Sequence, residues 1–117
     1  MRTLRLLNLH CNKTNDNDDD DVNNTKIYET ILSVENGRFQ EFGPESMTSG
    51  NDWNVNADIQ FNEKAIITLY DDDLIRNLSN VKHIRTHIVE EIEVHHGTKN
   101  VSFTLNNANY VLTYEVI

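Results

Sequence analysis

"WNVNADIQF" (residues 53–61) is the stretch that decides the fold, because polar and apolar residues alternate along it without a break. Successive side chains of a β-strand point to opposite faces, so this pattern predicts a strand with one buried and one exposed face. After the short turn "NEK", the β-branched run "AIITLY" (65–70) predicts a second strand.

Similar runs occur throughout the chain and predict further strands. They are "TLRLLNLHC" (3–11), "TKIYETILSV" (25–34), "RFQEF" (38–42), "NVSFTL" (100–105) and "NYVLTYEVI" (109–117). Asn36-Gly37 predicts a hairpin with a type I′ turn, in which both central residues have positive φ. The composition of "GPESMTSGND" (43–52), which holds the only proline, predicts a loop.

The stretch from 74 to 94 fits two interpretations. Leu74, Leu78, Val81, Ile88 and Ile92 lie at helical spacing, whereas "HIRTHIV" (83–89) is rich in β-branched residues. We favour a loop or short helix over 74–81 followed by a strand over about 83–94. With the other runs, this predicts one all-β domain over residues 1–117, an antiparallel β-sandwich of seven to eight strands. A small barrel is the alternative.

Charge limits the partners. The chain has 117 residues, 10 Lys and Arg, and a formal net charge of -9, so it cannot neutralise many phosphates. We therefore expect no nucleic-acid binding and no unaided binding to an anionic membrane; divalent cations or basic proteins fit better. Cys11 is the single cysteine, which excludes a disulfide and a cysteine zinc site. No apolar run approaches the roughly 20 residues of a membrane span, and the N-terminus has the pattern of a strand. A cytoplasmic location is expected, with secretion after removal of an export signal as the alternative.

Two acidic clusters carry the functional hypothesis. "NDNDDDD" (15–21) follows the first predicted strand, and "YDDDL" (70–74) ends the strand at 65–70. Asp16, Asp18 and Asp20 have the spacing that opens an EF-hand loop. However, Asp21 stands where that loop needs glycine and Ile27 where it needs glutamate, so the EF-hand is excluded.

Two separate loops can still share one calcium ion, which takes six to eight oxygen ligands in flexible geometry. Loops that follow strands running the same way meet at one end of a sandwich. Carboxylates gathered there would repel one another by roughly 1 kcal/mol per near pair unless cations or water screen them. The candidate Ca²⁺ ligands are Asp16, Asp18, Asp20, Asp21, Asp71 and Asp73.

A strand that ends in an Asp-rich loop, and an aromatic followed by Asp-x-Asp at the end of a later strand, resemble the C2-type calcium-binding β-sandwich. The resemblance covers most of the chain through short motifs. It implies a C2-like fold in which Asp71 and Asp73 after Tyr70, together with Asp16 and one or more of the aspartates 18–21, bind calcium.

The chain departs from the C2 pattern after Asp73. C2 domains commonly place another Asp before a hydrophobic-Gly step, whereas this chain has "NVKHIRTH" (80–87), with Lys82 and no glycine. This departure implies fewer or weaker calcium sites. The membrane role common in the family needs basic or apolar loop tips, for which Leu74, Ile75 and Arg76 are the candidates.

The remaining residues favour binding over catalysis. We expect no enzyme activity, because no Ser, Cys or Thr nucleophile motif and no Gly-rich phosphate loop occurs. His83 and His87 could chelate zinc on a helix but would lie ~13 Å apart on a strand. Trp53 is expected in the core, with carbohydrate stacking as the alternative. The competing overall hypothesis is a metal-free acidic module that binds a protein partner or has a structural role.

Overall fold

The computed structural model describes residues 1–14, 28–73, 82–105 and 108–117. Its strands are β1 (Arg2–Lys13), β2 (Tyr28–Glu35), β3 (Phe39–Met47), β4 (Asp52–Phe61), β5 (Lys64–Asp73), β6 (Lys82–Glu90), β7 (Lys99–Leu105) and β8 (Ala108–Val116). A 3₁₀ helix of three residues, Glu91–Glu93, follows β6. The prediction of an all-β antiparallel sandwich is confirmed.

The strands form two four-stranded sheets, which we call sheet A (order β4-β1-β8-β7) and sheet B (order β3-β2-β5-β6). All pairs between neighbouring strands are antiparallel. The chain passes from sheet A to sheet B between β1 and β2, so the Asp-rich segment joins the two sheets.

The core lies between the sheets and follows the alternation of the sequence. Along β8, every second residue from Ala108 to Val116 is buried, and the residues between them are partly exposed. Leu4, Leu6 and Leu9 of β1 do not keep strict period two, because a bulge lies between Leu6 and Asn8. Trp53 is half-buried and packs against the core, as expected.

Three local predictions need correction. The loop predicted for residues 43–52 begins only after Met47, because β3 continues through Pro44 to that residue. Proline is tolerated there because β3 is an edge strand, where a missing N–H need not remove a ladder hydrogen bond. The hairpin at Asn36-Gly37 has a three-residue connection in which Gly37 alone has positive φ, so it is not a type I′ turn.

The third correction concerns the ambiguous stretch 74–94. β6 covers Lys82–Glu90, which confirms the strand, but residues 91–93 form the 3₁₀ helix instead of extending it. The loop or short helix predicted for residues 74–81 lies outside the described residues. No helix in the described part of the chain is long and apolar enough to cross a membrane.

Candidate functional site

The candidate calcium end of the sandwich is defined by the pairing of β2 with β5. Tyr28, the first residue of β2, is the register partner of Asp73, and Thr30 is the partner of Asp71. β2, the strand that follows the Asp-rich segment in the chain, therefore begins beside the last residue of β5, and residues 22–27 separate Asp21 from Tyr28. Asp16, Asp18, Asp20 and Asp21 themselves lie outside the described residues.

Asp71 and Asp73 belong to a strand and not to a loop, which corrects the sequence prediction. β5 runs to Asp73 because its last three residues pair with the first three residues of β2. The backbone at these positions is therefore fixed by the sheet.

Two neighbours modify the environment of Asp71. On one side, its register partner in β6 is Lys82, which places a basic residue in the adjacent strand. On the other side, Thr30 is fully buried, and its hydroxyl oxygen has no hydrogen-bond partner among the described residues. A buried hydroxyl without a partner costs roughly 1–3 kcal/mol and is uncommon in native proteins.

Within the described residues, no group of three or more His, Cys, Asp or Glu side chains is placed to hold a metal ion. His83 and His87 both lie on β6, four residues apart along an extended strand, so the zinc pair is not formed.

A second polar cluster, which no pattern in the sequence predicts, lies where the edges of the two sheets meet. The Tyr114 hydroxyl donates to Glu93 Oε1 at 2.6 Å, and His87 Nε2 lies 3.1 Å from the same hydroxyl oxygen. Lys99 Nζ is 3.5 Å from Glu93 Oε1, and the Glu90 amide donates to Glu93 Oε2 at 2.7 Å. Because the tyrosine proton goes to Glu93, His87 Nε2 is the donor to the tyrosine oxygen.

Burial and hydrogen bonding perturb the three titratable groups of this cluster. Burial lowers the pKa of His87, although the Glu93 carboxylate opposes the change. Burial and the bond to Glu93 raise the pKa of Tyr114 far above its usual value. Burial alone would raise the pKa of Glu93, but its bonds to Tyr114, the Glu90 amide and Lys99 outweigh burial and lower it. The cluster links β6, β7, β8 and the 3₁₀ helix.

The outer face of sheet A is polar, and its side chains pair with one another. Arg5 contacts Asp58 through Nε at 2.9 Å, His10 Nδ1 lies 2.8 Å from Asp52, and the Asn8 amide donates to Asn54 at 2.9 Å. Asp58 holds the pKa of Arg5 above its usual value, mainly through this hydrogen bond. These pairs are exposed, and such pairs contribute little to stability. We see no chemistry in them beyond a well-hydrated surface.

Comparison with known proteins supports the fold. The chain matches no protein-family model and no curated protein sequence. Among solved structures it is similar to human GIVD cytosolic phospholipase A2 in complex with methyl gamma-linolenyl fluorophosphonate inhibitor and terbium chloride. That match has a TM-score of 0.55 and 15% identity, and it covers 99% of this chain and 17% of the phospholipase. A second structure of the same enzyme, with the fluorophosphonate, gives a TM-score of 0.52 and 17% identity over 99% of this chain and 16% of the enzyme.

This similarity concerns the fold alone, because the identity is low. The chain spans about a sixth of the length of the phospholipase it matches. It is therefore the sandwich, and not the whole enzyme, to which this chain is similar.

Proposed function

We propose that the chain is a C2-like calcium-binding module whose Asp-rich segments supply the metal ligands. The observation that supports the proposal is the pairing of Tyr28 with Asp73, because the strand that follows the first acidic cluster in the chain begins beside the end of β5. Asp16, Asp18, Asp20, Asp21, Asp71 and Asp73 are the proposed ligands. Calcium is the cofactor, and catalysis is not part of the proposal.

The chemistry of the donor set fits calcium. Carboxylates and backbone carbonyls are hard oxygen ligands, and neither Cys nor His is needed. The unpartnered Thr30 hydroxyl beside the Asp71 register position offers a further hydrogen bond at this end, where an aspartate ligand would need to be held. The phospholipase of similar fold was crystallised with terbium chloride, and terbium, like calcium, prefers oxygen ligands.

The position of Lys82 argues for a modest site. Lys82 is the register partner of Asp71 in the neighbouring strand, and a basic residue close to a group of carboxylates weakens their attraction for a cation. Calcium would then neutralise the remaining aspartates, order the segments that carry them and present a less negative surface to a partner. That partner is a protein, in the cytoplasm. A phospholipid membrane fits less well, because the chain has a formal net charge of -9 and its loop-tip candidates for membrane contact are only Leu74, Ile75 and Arg76.

Thermal unfolding tests the proposal. The protein is melted in excess chelator, in millimolar calcium and in matched magnesium. Ligand at 100 times its dissociation constant adds roughly 2.7 kcal/mol, or several degrees for a domain of this size. We expect a rise of the melting temperature with calcium and none with magnesium.

Paired variants locate the effect. Asp71→Asn with Asp73→Asn should abolish the calcium-induced rise, whereas the control pair Asp52→Asn with Asp58→Asn, on the outer face of β4, should keep it. Identical melting curves in chelator and calcium for the unmodified protein would refute calcium binding.

The second candidate is a metal-free acidic module that binds a protein or has a structural role. Lys82 beside Asp71 favours it, since a protein amine can supply the charge compensation without a metal. Under this hypothesis the variant pair Asp71→Asn with Asp73→Asn leaves the melting temperature in chelator unchanged or raises it.

A further inference from the structure

The outer face of sheet B carries a line of side chains that crosses all four strands at one level. Phe39 of β3 is the register partner of Glu35 in β2, Glu35 is the partner of Ile66 in β5, and Ile66 is the partner of Ile88 in β6. We call these four residues the cross-strand row. It lies at the opposite end of sheet B from Asp71 and Asp73.

Exposure distinguishes this row from an ordinary strand surface. Phe39 is 60% exposed and Ile88 is 50% exposed, whereas Val34, which precedes Glu35, and Val89, which follows Ile88, are fully buried. Neither large apolar side chain is covered, and three of the four positions in the row are apolar. Apolar side chains grouped at one level of an exposed sheet face can form a contact surface for a partner.

The charge around the row is mostly negative. The Glu35 carboxylate lies within the row, and no cation pairs with it among the described residues. Glu41 and Glu90 flank Phe39 and Ile88 on the same face, two residues along their strands, and Lys64 is the one basic residue at the corresponding position beside Ile66. A second copy of this chain would bring the same carboxylates against one another, so charge complementarity favours a basic partner.

A hollow of about 250 Å³ opens beside the middle of the row. Glu35, Glu63, Lys64 and Ile66 are among the residues that line it. A Lys or Arg side chain suits such a hollow, because its aliphatic stem can lie on Ile66 while its charge reaches a carboxylate. The hollow therefore offers a place for a basic side chain of the partner, because two carboxylates, Glu35 and Glu63, outnumber the Lys64 amine in its lining.

The spacing of the row specifies the partner further. Neighbouring strands lie about 4.8 Å apart, so Phe39 and Ile88 are separated by roughly 14 Å. In an extended chain, side chains on one face repeat about every 6.8 Å. Three alternate side chains thus span the row, with the middle one between Glu35 and Ile66.

We propose that the cross-strand row docks an extended basic segment of a partner protein with the pattern apolar-x-basic-x-apolar. The two apolar side chains cover Phe39 and Ile88, and the basic side chain enters the hollow beside Glu35. This docking does not use the acidic segments, so it is independent of the proposed calcium site.

An amide-resolved NMR titration with the peptide acetyl-Gly-Leu-Ser-Lys-Ser-Leu-Gly-amide tests the proposal, in chelator and again in calcium. We expect shifts concentrated on the amides of residues 35, 39, 66 and 88 under both conditions. A peptide with Glu in place of Lys, and one of the same composition in the order Leu-Leu-Lys-Ser-Ser, should bind much more weakly.

Matched variants separate the row from general attraction to an acidic protein. Phe39→Thr with Ile88→Thr should weaken binding about tenfold or more, because half-exposed apolar surface no longer contributes. Ile92→Thr, which removes a more exposed isoleucine outside the row, should not weaken it. Glu35→Gln should cost about threefold and Glu45→Gln, an exposed carboxylate at the other end of β3, should cost nothing.

Three outcomes would overturn the proposal. The first is that the scrambled peptide binds as tightly as the designed one, and the second is that Glu35→Gln and Glu45→Gln weaken binding equally. The third is that chemical shifts at the row change with protein concentration in the absence of peptide, which would identify a second copy as the occupant. Loss of calcium stabilisation affects none of these readouts, so the two proposals fail separately.

Discussion

The hydroxyl of Tyr114 provides the sharpest test of how the two sheets are held together at their edge. Tyr114→Phe removes one oxygen atom and leaves the buried ring in place. That oxygen donates to a Glu93 side chain that is only 13% exposed, at 2.6 Å. A hydrogen bond to a charged group contributes roughly 1.5–3 kcal/mol. Glu93 keeps its bonds from the Glu90 amide and Lys99, so we expect the lower part of that range, about 1.5–2 kcal/mol. For a domain of this size, that lowers the melting temperature by about 5–10 °C.

The pH dependence gives the same cluster a second signature. The pKa of Tyr114 is raised on folding, so above about pH 10 the unfolded chain loses a proton that the folded chain keeps, and stability falls. Tyr114→Phe should remove that alkaline loss. The pKa of Glu93 is lowered on folding, so its contribution is present above its ordinary value and is lost as the pH falls through the folded value. Without the Tyr114 bond, this acid loss should become smaller.

Urea unfolding at pH 7 and at pH 10.5 measures the stability loss and its alkaline part, and unfolding below the ordinary pKa of glutamate measures the acid part. A double-mutant cycle with Glu93→Gln isolates the pair. Thr113→Val is the matched control, since it removes a neighbouring hydroxyl that donates to Asn100 at 2.7 Å on the outer face. The reasoning would be refuted if Tyr114→Phe cost no more than Thr113→Val, or if the cycle showed no coupling between Tyr114 and Glu93.

Three further predictions concern single residues. Gly43→Ala should destabilise the fold by about 2 kcal/mol or more in a urea titration, because the residue has φ of +101° and a Cβ there would lie 2.7 Å from the Thr30 carbonyl oxygen. The control Gly50→Ala should cost less, because Gly50 has a similar φ of +92° but a Cβ there would have no atom within 4 Å. The Cys11 thiol is fully buried, so a thiol reagent should modify it only at the rate of unfolding, and fast modification in native buffer would contradict this burial. Burial lowers the pKa of His87, so the unfolded chain binds this proton more readily and stability should fall below about pH 6.5; His87→Gln should flatten that part of the stability profile.

Alternation along single strands allowed most of the fold to be predicted. From residue 53 to 61 and from 108 to 116, the sequence specifies which side chains face the core, because strand geometry repeats every two residues and burial follows it. Boundaries were less accurate where pairing decided them. β5 extends through three aspartates because β2 lies beside them, and β3 passes through a proline because it is an edge strand.

The class of fold, the sign of the surface charge and the two acidic segments all follow from sequence patterns alone. Which strands are neighbours became known only from the folded chain, since pairing depends on contacts between residues far apart in the sequence. That pairing sets Tyr28 beside Asp73, assembles Tyr114, Glu93, His87 and Lys99 at the sheet edges, and aligns Phe39, Glu35, Ile66 and Ile88 in one row. Each set gathers residues from three or more elements, or joins strands that are not consecutive, and no local pattern in the sequence records such a register.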